Sequence, residues 1–262
     1  MASPPRAGAG RRWLIRAGFV VAGLVTALLL LELTMQLFWP FKTHGAAREL
    51  REFREGGERI ANMFMVDPDF GFRPRLGTRA YTEFGTHANG YPLAKTAGRR
   101  RVLFLGDSVT DRGGIDRALR TLCGDERFEY WNAGVSSFNT VQEVEWYRRY
   151  VARIEPDEVV LTFHLNDFEA TPVAFVDDRG RLVVCAPRGP TRELNRALFE
   201  HSHVYRMLVG MTTDRDAGQA VVRDDVRRAL GELQHLVRPP ARLTVLVFPF
   251  MAERSTWLPA QS

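Results

Sequence analysis

The sequence predicts an α/β fold, in which helices cover both faces of a parallel sheet, preceded by a single N-terminal transmembrane helix. Three observations support this prediction. Residues 17–39 are almost entirely apolar, strand-like and helix-like segments alternate from residue 101 onward, and the strand-like segments are continuously apolar. Continuously apolar strands are typical of a parallel sheet, and the alternation is typical of strand–helix–strand units with right-handed crossovers.

The apolar run at residues 17–39 is long enough to cross the roughly 30 Å hydrocarbon core of a membrane. A cleaved signal peptide would need a small-residue site after the run, and none is present. A buried core helix rarely extends this far without polar breaks, so an uncleaved signal anchor is favoured. Glu32 is the polar exception, near the outer end where we expect access to water. Arginines precede the run at Arg6, Arg11, Arg12 and Arg16.

Those arginines predict the orientation of the chain. Basic residues favour the cytoplasmic side, so residues 1–16 form a cytoplasmic tail. The remainder is then extracytoplasmic, either periplasmic or at the cell surface. Trp39 suits the membrane interface on that side.

Charge and cysteine content exclude some functions. The net charge of +5 comes with basic and acidic residues interleaved, which indicates a solvated surface and no nucleic-acid partner. Cys123 and Cys185 form no CxxC pair, so no zinc site is predicted, and nothing points to a cofactor or another metal. The two thiols either pair in an oxidising compartment or stay free and buried.

Residues 40–100 are predicted to be a lead-in segment and residues 101–262 an α/β domain. Within the lead-in, 45–59 is expected to be a short helix, and 62–98, rich in Gly, Pro and aromatics, an irregular or short-stranded stretch. In the domain, residues 173–185 predict a hairpin. Strands are predicted at Arg101–Leu105, Phe128–Asn132, Glu158–Phe163 and Arg242–Phe248, and helices at 114–123, 191–211 and 220–237. A further helix has Val141, Val144, Tyr147, Val151 and Ile154 on one face.

Three polar clusters follow the first three of these strands: Gly106–Thr110, Asn132–Gly134 and His164–Asp167. Ligands bind beyond the carboxyl ends of parallel strands, so the three clusters converge on one rim. Ser108 would begin a helix, whose N-terminus favours a developing anion. The backbone N–H of Gly134 and the side-chain amide of Asn166 are suited to donate to an oxyanion. Asp107 is read as structural, holding the turn.

Gly-Asp-Ser, then Gly, then Asn-Asp, each after its own strand, resembles the SGNH/GDSL hydrolase superfamily over about residues 101–250. The resemblance implies a flavodoxin-like three-layer α/β/α sandwich with a parallel sheet. It implies Ser108 as the nucleophile and Gly134 and Asn166 as oxyanion-hole donors, with Asp107 and Asp167 in support. The motif of the α/β-hydrolases, G-x-S-x-G, is absent.

The sequence departs from the family in two places. His164 stands where the third block usually begins with Gly, and it is a weak candidate for the catalytic base. The family's Asp-x-x-His, which supplies that base, occurs nowhere in the sequence. We expect its absence to reflect a truncated chain, with a natural pseudoenzyme as the alternative.

The function expected is hydrolysis of acyl esters, on carbohydrate or lipid, at the outer face of the membrane. The same nucleophile would serve an O-acyltransferase for an envelope polysaccharide, because the acceptor of the acyl group decides between hydrolysis and transfer. A third alternative is a non-catalytic carbohydrate-binding protein. Each site residue also has a structural alternative: Ser108 as a helix cap, Gly134 in a tight turn, and Asn166 with Asp167 as the start of a loop.

Overall fold

A computed structural model describes residues 8–38, 54–55, 58–59, 63–168, 170–176, 182–185, 195–212 and 215–248. Helix α1 (Gly8–Phe38) contains residues 17–38 of the apolar run, and its Arg12–Phe38 part is long and apolar enough to cross a membrane. No other helix of the described ranges meets that criterion. Most of its large apolar side chains are exposed in the isolated chain.

The lead-in contains two short antiparallel ladders. Strands β1 (Arg54–Glu55) and β2 (Glu58–Arg59) pair with each other, so the helix predicted over 45–59 is wrong for these residues. Two glycines separate the strands in the sequence, and glycine is a poor helix former. Residues 45–53 lie outside the described ranges. Strands β3 (Phe64–Asp67) and β4 (Gly71–Pro74) form the second ladder.

The predicted parallel sheet is confirmed. It has four parallel strands, which lie side by side in the order β10 (Arg242–Val247), β7 (Glu158–Phe163), β5 (Arg100–Gly106) and β6 (Phe128–Asn132). The predicted hairpin forms a separate antiparallel pair, β8 (Val173–Val176) with β9 (Leu182–Cys185).

The helices flank this sheet and differ from the predictions mainly in their ends. The helix predicted at 114–123 is confirmed, and the apolar face that begins at Val141 continues from an α-helix into a short 3-10 helix, Val151–Ile154. The helix predicted at 191–211 is two helices, and the one predicted at 220–237 begins earlier. The helices are α2 (Ser108–Asp111), α3 (Gly114–Cys123), α4 (Thr140–Arg149), α5 (Arg196–His201), α6 (His203–Thr212) and α7 (Arg215–Leu236).

The lead-in contributes to the same hydrophobic core as the sheet. Phe70 is fully buried, stacks on Phe138 with 5.8 Å between ring centroids, and meets the edge of Trp146. Its backbone carbonyl accepts a hydrogen bond from Gln142 on α4. The residues before 101 therefore help to hold α4 on the sheet, which the sequence pattern did not predict.

Cys123 differs from the expectation of a buried thiol. It is the last residue of α3, and it is exposed and free. The side chain of Cys185 lies outside what the structure describes.

Candidate active site

The turn after β5 places Ser108 at the start of α2. Asp107 is the N-cap, and its carboxylate accepts a hydrogen bond of 2.9 Å from the Val109 backbone N–H. The capping function therefore belongs to Asp107 and not to Ser108. Ser108 is the first helical residue, is half-buried, and its hydroxyl has no hydrogen-bond partner among the described residues. A side chain in this position is available to a ligand.

Gly106, Thr110 and Thr162 tie this turn to the neighbouring strand β7. The hydroxyls of Thr110 and Thr162 hydrogen-bond to each other. A Cβ atom on Gly106 would collide with both hydroxyl oxygens. Only glycine leaves room for this contact, so the Gly that precedes Asp107 and Ser108 has a packing function.

The loop after β6 packs on the backbone of α2. The Asn132 side chain donates to the Thr110 carbonyl at 2.7 Å and accepts from the Gly134 N–H at 2.8 Å. A Cβ atom on Gly134 would lie 2.6 Å from the Thr110 carbonyl carbon and 2.8 Å from the Asp111 Cα. Gly134 is thus held against the helix that Ser108 begins. Its N–H would have to exchange the Asn132 oxygen for an oxyanion to act as a donor.

The segment after β7 is a 3-10 helix, Leu165–Phe168, which contains Asn166 and Asp167. The Asp167 carboxylate accepts a hydrogen bond from the His164 N–H, while the Asp167 N–H donates to the His164 carbonyl at 3.0 Å. This local pairing fixes the turn that carries Asn166. The Asn166 side chain itself is not among the described atoms, so its approach to Ser108 stays a prediction, as does a catalytic function for His164.

Three carboxyl groups lie close together behind this rim. Glu143 on α4 is fully buried, and neither of its carboxyl oxygens has a hydrogen-bond partner among the described residues. Burial raises the pKa of Glu143 well above its ordinary value, and the nearby Asp167 and Asp107 raise it further. Burial likewise raises the pKa of Asp167 to about 8. Both shifts favour the neutral, protonated form of these two carboxyl groups.

A second polar cluster, which the sequence analysis missed, borders the Gly134 loop. The His87 Nε2 atom lies 2.9 Å from the Asp111 carboxylate and 3.1 Å from the Gly134 carbonyl oxygen. Both neighbours are acceptors, so Nε2 carries a proton. The hydroxyls of Tyr81 and Ser136 also donate to Asp111. No sequence signal marks the cluster, because His87 and Tyr81 belong to the lead-in.

Charge pairing dominates the titration of this cluster. Burial alone would lower the pKa of His87, but the hydrogen bond and charge of Asp111, the hydrogen bond to the Gly134 carbonyl and the charge of Asp116 together outweigh it, and the pKa is raised. Burial would raise the pKa of Asp111, but its hydrogen bonds with His87 and Ser136 lower it. Since the Ser136 hydroxyl meets the carboxylate and not the imidazole, the three side chains do not form a Ser-His-Asp relay.

Comparison with known proteins gives only distant similarity. No protein-family model and no curated protein matches the chain. An acetyl xylan esterase matches with a TM-score of 0.26 and 15% identity, covering 56% of this chain and 77% of that one. An acetyl xylan esterase from Geobacillus stearothermophilus matches with a TM-score of 0.26 and 13% identity, covering 52% and 73%. An α/β hydrolase from the metagenome of Lake Arreo, Spain, has a TM-score of 0.25 and 18% identity, covering 55% and 77%.

TM-scores this low are too weak to indicate a fold or an activity. The fold of this chain is established from its own strand order and strand direction.

Proposed function

We propose that this chain is a membrane-anchored serine hydrolase of the SGNH/GDSL type, which acts on ester-linked acyl groups at the outer face of the membrane. Ser108 is the nucleophile in this proposal, and Gly134 and Asn166 are the oxyanion donors. Asp107 and Asp167 hold the two turns that carry Ser108 and Asn166.

The observation that carries the proposal is that three polar turns leave one edge of the sheet, the first two of them bonded to each other. The strands β6, β5 and β7 are adjacent and parallel, so their carboxyl ends lie at one edge. The Val135 N–H donates to the Gly106 carbonyl at 3.0 Å, which joins the second turn to the first. Thr162, in the strand β7 that leads into the third turn, contacts Thr110 of α2. Ser108, whose hydroxyl has no hydrogen-bond partner among the described residues, lies at this edge. The backbone and amide groups that the three turns carry are the kind of donors that stabilise an oxyanion.

The catalytic base is the open part of the mechanism. No Asp-x-x-His is present in the sequence, and the Nε2 atom of His87 already faces Asp111 and Gly134. His164, at the end of β7, is the remaining candidate at this rim. A serine without a base is a poor nucleophile near neutral pH. We therefore expect steady-state hydrolysis of p-nitrophenyl acetate by these 262 residues to stay close to the uncatalysed rate.

A test that does not depend on the base is acylation of a thiol at position 108. The variant Ser108→Cys, with Cys123→Ser and Cys185→Ser, should be acetylated by p-nitrophenyl acetate and release one p-nitrophenolate per chain. A cysteine is partly thiolate near neutral pH and needs no separate base. The native Cys123, an exposed free thiol, is the reference in chains that keep Ser108.

The expected result is acylation at position 108 about 10²-fold faster than at Cys123, since one oxyanion donor contributes on the order of 10²–10³. Adding Asn166→Ala should remove most of that advantage. If the thiol at 108 reacts no faster than Cys123, the three turns do not form an oxyanion site and the proposal is wrong.

Membrane attachment is tested separately. The Arg12–Phe38 helix and the arginines before it support an uncleaved anchor with the α/β domain outside. Membranes washed with alkaline carbonate should retain the intact chain. A soluble form whose N-terminus begins near residue 40 would instead indicate a cleaved signal peptide.

A further inference from the structure

Glu32 is the only acidic residue of α1, and it is bonded to another helix. Its carboxyl group accepts hydrogen bonds from the Ser202 hydroxyl at 2.8 Å, the His203 N–H at 2.8 Å and the Val204 N–H at 2.9 Å. His203 and Val204 begin α6. The apolar helix α1 thus holds the N-terminus of α6 through a single side chain.

These contacts provide hydrogen-bond acceptors for most of the backbone N–H groups in the first turn of α6. The first four N–H groups of a helix have no partner inside it. Glu32 accepts from the first two, and the Ser202 hydroxyl accepts from the third, the Tyr205 N–H, at 3.0 Å. Backbone donors in hydrocarbon must be paired, and an acidic side chain there also needs partners. The pairing of Glu32 with α6 meets both requirements at once.

The position of the contact along α1 places it within the apolar run. Glu32 precedes Phe38 by six residues, about 9 Å along a helix axis. Met35, one turn beyond Glu32, is 8% exposed, while most apolar side chains around it are exposed. Val204 on α6 is also 8% exposed. The contact between the two helices is therefore packed as well as hydrogen-bonded.

The rest of α6 is apolar and faces outward in part. Its sequence from Val204 to Thr212 contains one charged residue, Arg206. Leu208 is 47% exposed, and Met207 is half-buried. An exposed apolar surface that continues from a membrane anchor fits lipid chains.

We propose that α6 lies in the outer leaflet of the membrane, packed against α1 and held at that depth by Glu32. The inference rests on the proposed anchor and extends it, because it adds a second lipid contact from within the α/β domain. The candidate site would then be held close to the membrane, where esters presented at the lipid surface are the accessible substrates.

The test uses the full chain in lipid vesicles, with Cys123→Ser and Cys185→Ser. A bimane fluorophore is attached at Leu208→Cys or, as the control, at Leu122→Cys on α3, which is 81% exposed. Lipids brominated on their acyl chains quench fluorophores in the leaflet. We expect quenching at position 208 and none at 122. Glu32→Ala should abolish the quenching at 208, and Glu32→Gln, which keeps one acceptor oxygen, should retain part of it.

Other results separate this inference from the proposed anchor. Absence of quenching at position 208 in chains that vesicles retain would overturn the inference and leave the anchor intact. Failure of the vesicles to retain the chain would overturn both. Disulfide crosslinking of two chains through Leu208→Cys would identify a second copy, and not lipid, as the partner. If Leu208→Cys does not fold, Met207→Cys serves as the reporter with the same expected results.

Discussion

Replacing Glu143 with Met should stabilise the protein. Glu143 is completely buried in α4, and both of its carboxyl oxygens lack partners among the described residues. Burying a polar group without a hydrogen bond costs free energy. Met has a similar volume and no polar atom to satisfy, and a swap that conserves volume is tolerated in a core.

The size of the effect follows from the burial. An unsatisfied buried polar group costs about 1–3 kcal/mol, so Glu143→Met should raise the free energy of unfolding by about that amount. With a urea m-value of about 2 kcal/mol/M, the unfolding midpoint should rise by about 0.5–1.5 M. The matched control is Glu145→Met two residues along, where the native carboxylate pairs with Arg148 and Arg149.

The pH dependence gives an independent check. Glu143 and Asp167 have pKa values raised in the folded state, chiefly by burial. Their contribution to stability is complete below the unfolded pKa values near 4 and is lost as the pH rises toward about 8 and beyond. Each proton accounts for at most about 1.4 kcal/mol per pH unit. Glu143→Met removes one of these two carboxyl groups, so the free energy of unfolding should fall less between about pH 5 and 7.

Urea titrations of the detergent-solubilised chain at several pH values measure both effects. We expect Glu143→Met to raise the urea midpoint and to make the free energy of unfolding fall less steeply as the pH rises. Glu145→Met should do neither. A Glu143→Met protein less stable than wild type by about 1 kcal/mol or more would refute the reasoning. It would mean that the Glu143 carboxyl makes a favourable interaction, because the cost of an unpaired buried group is the basis of the expected gain.

Three further predictions concern the rim. Gly134→Ala should lower the free energy of unfolding by at least about 1–3 kcal/mol, since its Cβ would overlap the backbone of α2, and unchanged urea stability would contradict that packing. Asp107→Ala should cost about 1 kcal/mol through loss of the cap, while Asp107→Asn, which keeps an acceptor, should cost little; equal losses would exclude capping. Asp111→Asn should lower the pKa of His87 in an NMR titration, because it removes the charged partner that raises this pKa. The stability that the pair contributes is present below about pH 6.5 and is lost as the pH rises through the raised pKa of His87. An unchanged His87 titration would show that Asp111 does not hold the imidazolium.

The parallel sheet could be predicted because its strands carry a strong local signal. Glu158–Phe163 and Phe128–Asn132 have the predicted ends, and the α3 helix does too. Such segments are buried on both faces, so hydrophobicity alone identifies them. The order of the strands in the sheet and the sharing of the core with Phe70 depend on long-range packing, which periodicity does not encode.

The sequence predicts only those site residues that belong to short motifs. Ser108, Gly134 and Asn166 come from short motifs at strand ends. The turns that carry Ser108 and Gly134 do meet, while the approach of Asn166 to Ser108 stays a prediction. The supporting groups come from distant parts of the chain. Glu143 lies in a helix that also buries Thr140 and Gln142, and His87 lies in an irregular stretch, so no local pattern marks either residue.

Glu32, the one acidic residue of helix α1, shows a different limit of sequence analysis. From sequence, Glu32 is an acid near the end of an apolar run, for which access to water is the simplest expectation. In the structure it accepts hydrogen bonds from Gln36 on the same helix and, far along the chain, from Ser202, His203 and Val204. A contact across about 170 residues leaves no trace in local composition, and only the tertiary arrangement identifies it.

The most direct test of the central claim is covalent labelling of Ser108. The chain in its native membranes is treated with a fluorophosphonate probe, digested, and analysed by mass spectrometry to locate the modified residue. Because oxyanion donors accelerate attack even where the base is missing, we predict slow modification at Ser108 that is still faster than at any other serine. It should be absent in Ser108→Ala and retained in Ser136→Ala, since the Ser136 hydroxyl is bonded to Asp111. Modification of another serine, or labelling that persists unchanged in Ser108→Ala, would contradict the assignment of Ser108 as the nucleophile.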